Sequence, residues 1–225
     1  MSHFSPATIQ FLKDLKKNNE REWFNGHKDD YESLVREPAL DFIESMAEPL
    51  SRISTEFEAI PKKVGGSLMR VYRDTRFGND KTPYKTNIGI QFRHRLGKDV
   101  HAPGYYLHIE PGECFVGVGI WRPDSDTLSR IRNAIVDKPE AYKAALKHRP
   151  FKGFEMAGDS LKRPPRGFDG DHPMIDEIKR KDFIAITPLE DKQLFGKDLT
   201  KQIAKQFSAA TPLMEFLCKA IDLKF

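Results

Sequence analysis

The sequence predicts an α+β domain: an antiparallel four- to five-stranded meander sheet, with N-terminal and C-terminal helices packed on it. Three observations predict it. Apolar residues recur at helical spacing through residues 1–60, alternate with period two between Gly66 and Trp121, and return to helical spacing from residue 122 onward. Short connections join most of the alternating segments, which favours antiparallel neighbours. No internal repeat, low-complexity tract or linker interrupts the chain, so residues 1–225 are expected to form a single domain.

The elements follow in order. Ser5 and Pro6 supply an N-cap and a first-turn proline, and Ile9, Phe11, Leu12 and Leu15 then mark one helical face. In "NNEREWFNGHK", Trp23 and Phe24 anchor a short helix. A further helix is expected from Asp29 to Ile53, kinked or broken at Pro38 and Pro49. Four strands are expected next: Ser67–Asp74, Asn87–Arg95, Tyr105–Glu110 and Glu113–Trp121. "EPGE" joins the last two as a tight turn. Asp124 or Ser125 caps a helix carrying Leu128, Ile131 and Ile135, and Pro139 begins another. "DFIAITPL" reads as one more strand, and a helix from Leu199 to Ile221 closes the chain.

A chain of 225 residues, 39% hydrophobic and 31% charged, can bury a sizeable core and is not disordered by composition. Cys114 and Cys218 cannot make a disulfide framework, which fits a reducing compartment. The N-terminus has no apolar run of a secretion signal, and no stretch approaches the ~20 apolar residues that span a bilayer. The expectation is a cytoplasmic protein with no membrane partner; the oligomeric state is left open.

Charge is unevenly placed. Residues 1–61 carry a net −5, residues 62–98 a net +8 and the remainder a net +1. The basic segment contains "RVYRDTRFGNDKTPYK", residues 70–85, with five cations, two aspartates and two tyrosines. Concentrated charge attracts anions better than the same charge dispersed.

Strand alternation sorts the expected sheet into two faces. Met69, Val71, Ile88, Ile90, Phe92, Leu107, Ile109, Val116, Val118 and Ile120 form an apolar face, the core. Arg70, Tyr72, Gln91, Arg93, Tyr106, His108, Gly117, Gly119 and Trp121 share the other. Arginine offers a planar fork to carboxylate or phosphate, tryptophan and tyrosine offer stacking surfaces, and a histidine such as His108 can hold or exchange a proton. The ligand-binding candidates are Arg70, Arg73, Arg76, Lys81, Tyr84, Lys85, Trp121 and Arg122. Arg163 and Arg166, in the Pro-braced loop "RPPRGFDGDH", join them as a possible lid. His108, Tyr72 and Tyr106 are the acid–base candidates. A purely structural reading stands beside this one: a helix lying over Gly117 and Gly119, with the cations in self-satisfied pairs and the Pro-rich loop shaping a turn.

Asp169, Asp171 and His172 have metal-ligand residue types but match no metal spacing, and turn chemistry explains them better. No metal and no cofactor is expected, for there is no P-loop, dinucleotide fingerprint, nucleophile elbow or paired-cysteine motif. Cys114 is in phase with Val116 and Val118, and Cys218 lies on an apolar helix; both are read as packing.

The stretches "FLKDLKKNNEREWF", "RVYRDTRFGNDKTPYKTNIG", "GYYLHIEPGECFVGVGIWRPDSDTLSRIR" and "RPPRGFDGDHPMIDEIKRKDF" resemble a family of bacterial and fungal proteins grouped as domain of unknown function 2461. The resemblance spans nearly the whole chain and implies one intact domain; it transfers no catalytic role. Three functional classes remain: a pocket for a small phosphorylated or carboxylated molecule, with or without a reaction; a nucleic-acid-binding module using the same basic, aromatic face; and a protein-interaction domain. A cleft on the second sheet face would favour the first class and a flat open face the second.

Overall fold

The computed structural model describes residues 2–76, 79–97 and 101–225. Its centre is one antiparallel sheet: β1 (Ile88–Arg93), β2 (Gly104–Ile109), β3 (Phe115–Ile120), β4 (Glu155–Ala157) and β5 (Phe183–Pro188), in spatial order β1-β2-β3-β5-β4. The β2–β3 turn is the expected one. Pro111 and Gly112 hold its central positions, Gly112 has φ +85°, and Glu113 N–H donates to Glu110 O at 3.0 Å.

Helices flank this sheet, and those at Glu37–Ile53, Leu199–Ala209 and Thr211–Ala220 pack directly on one of its faces. The helices include α1 (Pro6–Lys17), α2 (Arg21–Gly26), α3 (Lys28–Tyr31), α4 (Glu37–Ile53), α5 (Ser125–Asp137) and α6 (Pro139–Leu146). The short α7 (Ile175–Ile178) and α8 (Asp191–Leu194) precede α9 (Leu199–Ala209) and α10 (Thr211–Ala220). Phe42 of α4 and Phe207 of α9 meet Phe92 of β1 with ring centroids 6.4 and 5.7 Å apart, and Phe207 also reaches Tyr105 of β2 at 4.6 Å. Each such ring, fully buried, contributes about 1.5–3 kcal/mol relative to exposure. Cys218 of α10 is fully buried in this layer, and Cys114 is half-buried beside the β2–β3 turn. No helix is long and apolar enough to cross a membrane among the described residues.

The prolines shape the helices as their chemistry requires. Pro38 lacks an N–H and its ring crowds the carbonyl four residues back. The backbone widens into a π turn over Glu32–Arg36, and Pro38 then falls in the first turn of α4. Pro49 is accommodated inside α4. The single C-terminal helix expected from Leu199 to Ile221 is two, because Pro212 cannot continue α9 and instead opens α10. Asp124 caps α5 as expected, accepting from Thr127 N–H at 2.8 Å.

The first expected strand, Ser67–Asp74, does not form. Leu68 and Tyr72 make isolated bridges, to Ile90 and Tyr84. The segment changes partners partway: Gln91 N–H donates to Ser67 O and Met69 N–H to Gly89 O beside β1, whereas Lys85 N–H donates to Val71 O. Alternation is lost at that switch. Leu68 and Val71 enter the core, Met69 packs against Gly89 on the second face, and Arg70 and Tyr72 are exposed. The short β4 was not anticipated.

Two glycines of β3 are under different constraints. At Gly119 the backbone has φ +118°, and a Cβ would stand 2.0 Å from Phe183 O of the neighbouring strand. At Gly117 a Cβ would meet Tyr106 at an ordinary 3.6 Å. Gly119→Ala should therefore cost on the order of 3 kcal/mol or more in urea unfolding, since strain and backbone collision add. Gly117→Ala should stay within about 1 kcal/mol of the parent. Equal losses at the two positions would mean that the β3–β5 pairing is not as described.

Candidate functional site

The face of the sheet opposite the helices carries a groove of about 490 Å³, and none of its lining residues belongs to a helix. Register explains its shape. Gly104 of β2 pairs directly with Gly119 of β3, and Tyr106 with Gly117. Where these glycines lie there is no side chain to fill the space above the sheet. Phe115, Ile184, Ile186, Met69 and Trp121 form apolar walls, and Lys85, Asn87, Gln91, Tyr106 and His108 bring the polar groups.

The polar groups are ordered by strand spacing. Tyr106, His108 and Glu110 follow one another at two-residue intervals, which puts them on one face. Tyr106 Oη lies 2.9 Å from His108 Nδ1, and His108 Nε2 lies 3.3 Å from Glu110 Oε2. The His108 ring stacks on Phe115, 4.7 Å between centroids at 11°. Glu110 Oε1 accepts from Thr86 Oγ1 at 3.1 Å and pairs with Lys16 at 3.6 Å. Burial, with the Glu110 charge adding to it, pushes the Tyr106 hydroxyl up to about 12, so it stays protonated at neutral pH.

Lys85 lines the same groove. It is half-buried, and among the described residues its ammonium has no ion pair or hydrogen bond. Desolvation lowers its pKa, and the nearby Arg70 charge lowers it further. The backbone that holds it is anchored at the preceding residue. Asn19 donates to Tyr84 O at 2.9 Å and accepts from Tyr84 N–H at 3.0 Å, replacing a strand neighbour. The buried Tyr84 ring stacks on Phe24 at 4.1 Å.

The structure divides the expected basic cluster. Lys85, Trp121, Tyr106 and His108 meet at the groove. Arg73, Lys81, Tyr72 and Tyr84 instead line a second, more open cleft with Asn19 and Arg21. There Arg73 and Lys81 are tied to their own loop: Arg73 donates to Asp80 at 2.5 Å and Thr82 at 2.9 Å, and Lys81 donates to Thr75 O at 2.8 Å. Arg76 clasps Asp74 with contacts of 3.0 and 2.7 Å, which holds that carboxyl well below the usual carboxylate range. Residues 77 and 78 of this loop lie outside the described ones. Arg70 is exposed and lines neither space. Arg122, at φ +46°, lies over the Trp121 ring at 4.7 Å while its N–H donates to the buried Asp182 at 2.8 Å.

Arg163 and Arg166 are exposed and do not line the groove; Phe168 of the same loop packs against the core. Asp169 accepts from Asp171 N–H at 3.0 Å and His172 from Met174 N–H at 3.1 Å, which is turn chemistry. Among the described residues no cluster of metal-ligand side chains forms.

Several groove residues were missed by sequence reasoning. Phe115 is in phase with residues already assigned to this face, so alternation alone identifies it; Glu110, which contacts His108 without lining the groove, shares that phase. Ile184 and Ile186 needed the pairing of β5 with β3, and Met69 was placed on the wrong face by the strand that does not form.

The chain matches the family model described as "Conserved hypothetical protein (DUF2461)" over residues 7–216, and it belongs to that family. No curated protein and no solved structure matches it.

Because the Arg73 and Asp80 side chains are 37% and 53% exposed, their pairing is screened by water. Arg73→Gln should shift the melting temperature by no more than about 2 °C. A loss of several times that size would make the pair structural.

Proposed function

We propose that this protein, in the cytoplasm, binds a small carboxylated or phosphorylated molecule in the groove on the second face of its sheet. The observation that carries this reading is Lys85: a half-buried cation without an anionic partner among the described residues, lining a groove with apolar walls. Burying a charge is costly unless it is paired. A ligand anion would supply the missing partner, and the apolar walls suit a planar or apolar body attached to it. Asn87 and Gln91 add hydrogen-bonding groups to the groove, and Trp121 offers a stacking face.

The nucleic-acid reading wants a run of accessible cations along a face. Here Arg73, Arg76 and Lys81 are tied to their own loop, which favours the small-molecule reading. The protein-interaction reading has no comparable supporting feature.

The test is Lys85→Gln. A lysine whose folded pKa is depressed binds protons less readily folded than unfolded, so it penalises the fold below the depressed pKa and the penalty is relieved as pH rises toward the unfolded value. Removing the charge should therefore leave the melting temperature at pH 7 unchanged or raise it. Phenylacetate or inorganic phosphate should stabilise the parent protein by about 2.7 kcal/mol at one hundred times its Kd. That shift should vanish in Lys85→Gln. A parent protein indifferent to both anions, or a variant that keeps the shift, would overturn the reading.

A further inference from the structure

Tyr106, His108 and Glu110 form a hydrogen-bonded chain whose first two members line the groove. The direction of the bonds follows from the partners. The Glu110 carboxylate accepts, so His108 Nε2 carries the proton, and Nδ1 then accepts from the Tyr106 hydroxyl. Asn87 Nδ2 lies 3.5 Å from the same Nδ1. The ring is fixed in plane by Phe115, and Glu110 is itself held by Thr86 and by Lys16 of α1. A base within hydrogen-bond reach of a hydroxyl, oriented by a third group, is the arrangement that activates a hydroxyl.

One further detail separates this chain from ordinary packing. Gly89 of β1 pairs with His108, and a Cβ at Gly89 would stand 2.8 Å from Tyr106 Oη and 2.9 Å from Met69 Sδ. The missing side chain gives the Tyr106 hydroxyl its place above β1, beside His108. The groove lining offers no Ser, Thr, Cys, Asp or Glu among the described residues, and the hydrogen-bonded pair on its polar wall is Tyr106 with His108.

We propose that Tyr106 and His108, oriented by Glu110, are a proton relay acting on a carbonyl-bearing anion held by Lys85, interconverting its keto and enol forms. This rests on the groove being the anion site. In the forward step the C–H bond next to the substrate carbonyl breaks, and its electron pair closes the carbon–carbon double bond of an enolate. The released proton goes to the Tyr106 oxygen as the Tyr106 proton passes to His108 Nδ1. The resulting imidazolium lies against the Glu110 carboxylate. Return of a proton to the enolate oxygen, from Tyr106 as His108 reprotonates it, gives the enol and restores the relay. No oxidant, reductant or second substrate is consumed.

The experiment follows exchange of substrate C–H for C–D by NMR in D₂O, with phenylpyruvate and dihydroxyacetone phosphate as probes, beside thermal melts with the same probes. The parent protein should speed exchange of at least one probe above the buffer rate. Tyr106→Phe and His108→Gln should each lower that rate by about a hundredfold or more while the probe still shifts the melting temperature. Glu110 is a positioning residue: Glu110→Gln should lower kcat with little change in KM, and ¹⁵N spectra should show His108 losing its single Nε2–H tautomer. Gly89→Ala should slow exchange without removing any relay group. Binding of the probes without exchange, or exchange undiminished in Tyr106→Phe, would overturn the relay and leave the groove reading standing. Failure of both probes to bind would overturn the two together.

Discussion

The absence of side chains at Gly104, Gly117 and Gly119 is the constraint on which the site depends. These glycines pair across β2 and β3 or face Tyr106 there, and all three line the groove. One of them is fixed by the fold itself: at Gly119 the close approach of Phe183 O and a positive φ admit no Cβ. Gly117 is not so constrained, and the space above it belongs to the groove. The helices cannot occupy that space, because α4, α9 and α10 are committed to the opposite face through Phe42, Phe207 and their neighbours. A sheet packed on one side and hollowed on the other results.

The rim of this hollow is built from segments far apart in sequence. Asn19 engages both backbone groups of Tyr84 and so joins the α1–α2 connection to the segment that carries Lys85. The basic loop between Val71 and Tyr84 leaves from that anchored base and returns to it. Its cations neutralise its own aspartates and carbonyls, so the large local charge contributes mainly to loop order and to the field around the site. Lys85 differs from them because it lies beyond the loop, partly out of water and, among the described residues, without a carboxylate. Position relative to the sheet, more than charge density, sets it apart.

Much of this was legible in the residues. Period-two alternation in "NIGIQFR", "GYYLHI" and "FVGVGI" set three strands and their faces correctly, because helices bury one face of the sheet and the groove opens over the other. The same alternation misled at residues 67–74, where the chain exchanges one hydrogen-bonding partner for another and Leu68 and Val71, three apart, both turn inward. Shared strand phase brought Tyr106, His108 and Trp121 together on paper and in the structure. It said nothing of Arg73, Arg76 and Lys81, whose loop follows its own ion pairs. The contribution of Ile184 and Ile186 depended on β5 lying next to β3, a long-range pairing with no local signal. Helix ends were legible where a proline or an aspartate dictated them, as at Pro6, Asp124 and Pro139; the break at Pro212 carried the same signal and was overlooked.

The central claim is that the glycine-floored groove, and not the basic loop, receives the anion. Titration of ¹⁵N-labelled protein with phenylacetate, followed through its amide resonances, tests this most directly. The account predicts that the largest shifts fall on Lys85, Asn87, Gly104, Gly117 and Gly119, with Arg73, Thr75 and Lys81 little changed. Shifts concentrated on Arg73, Thr75 and Lys81, with the sheet glycines unmoved, would contradict it.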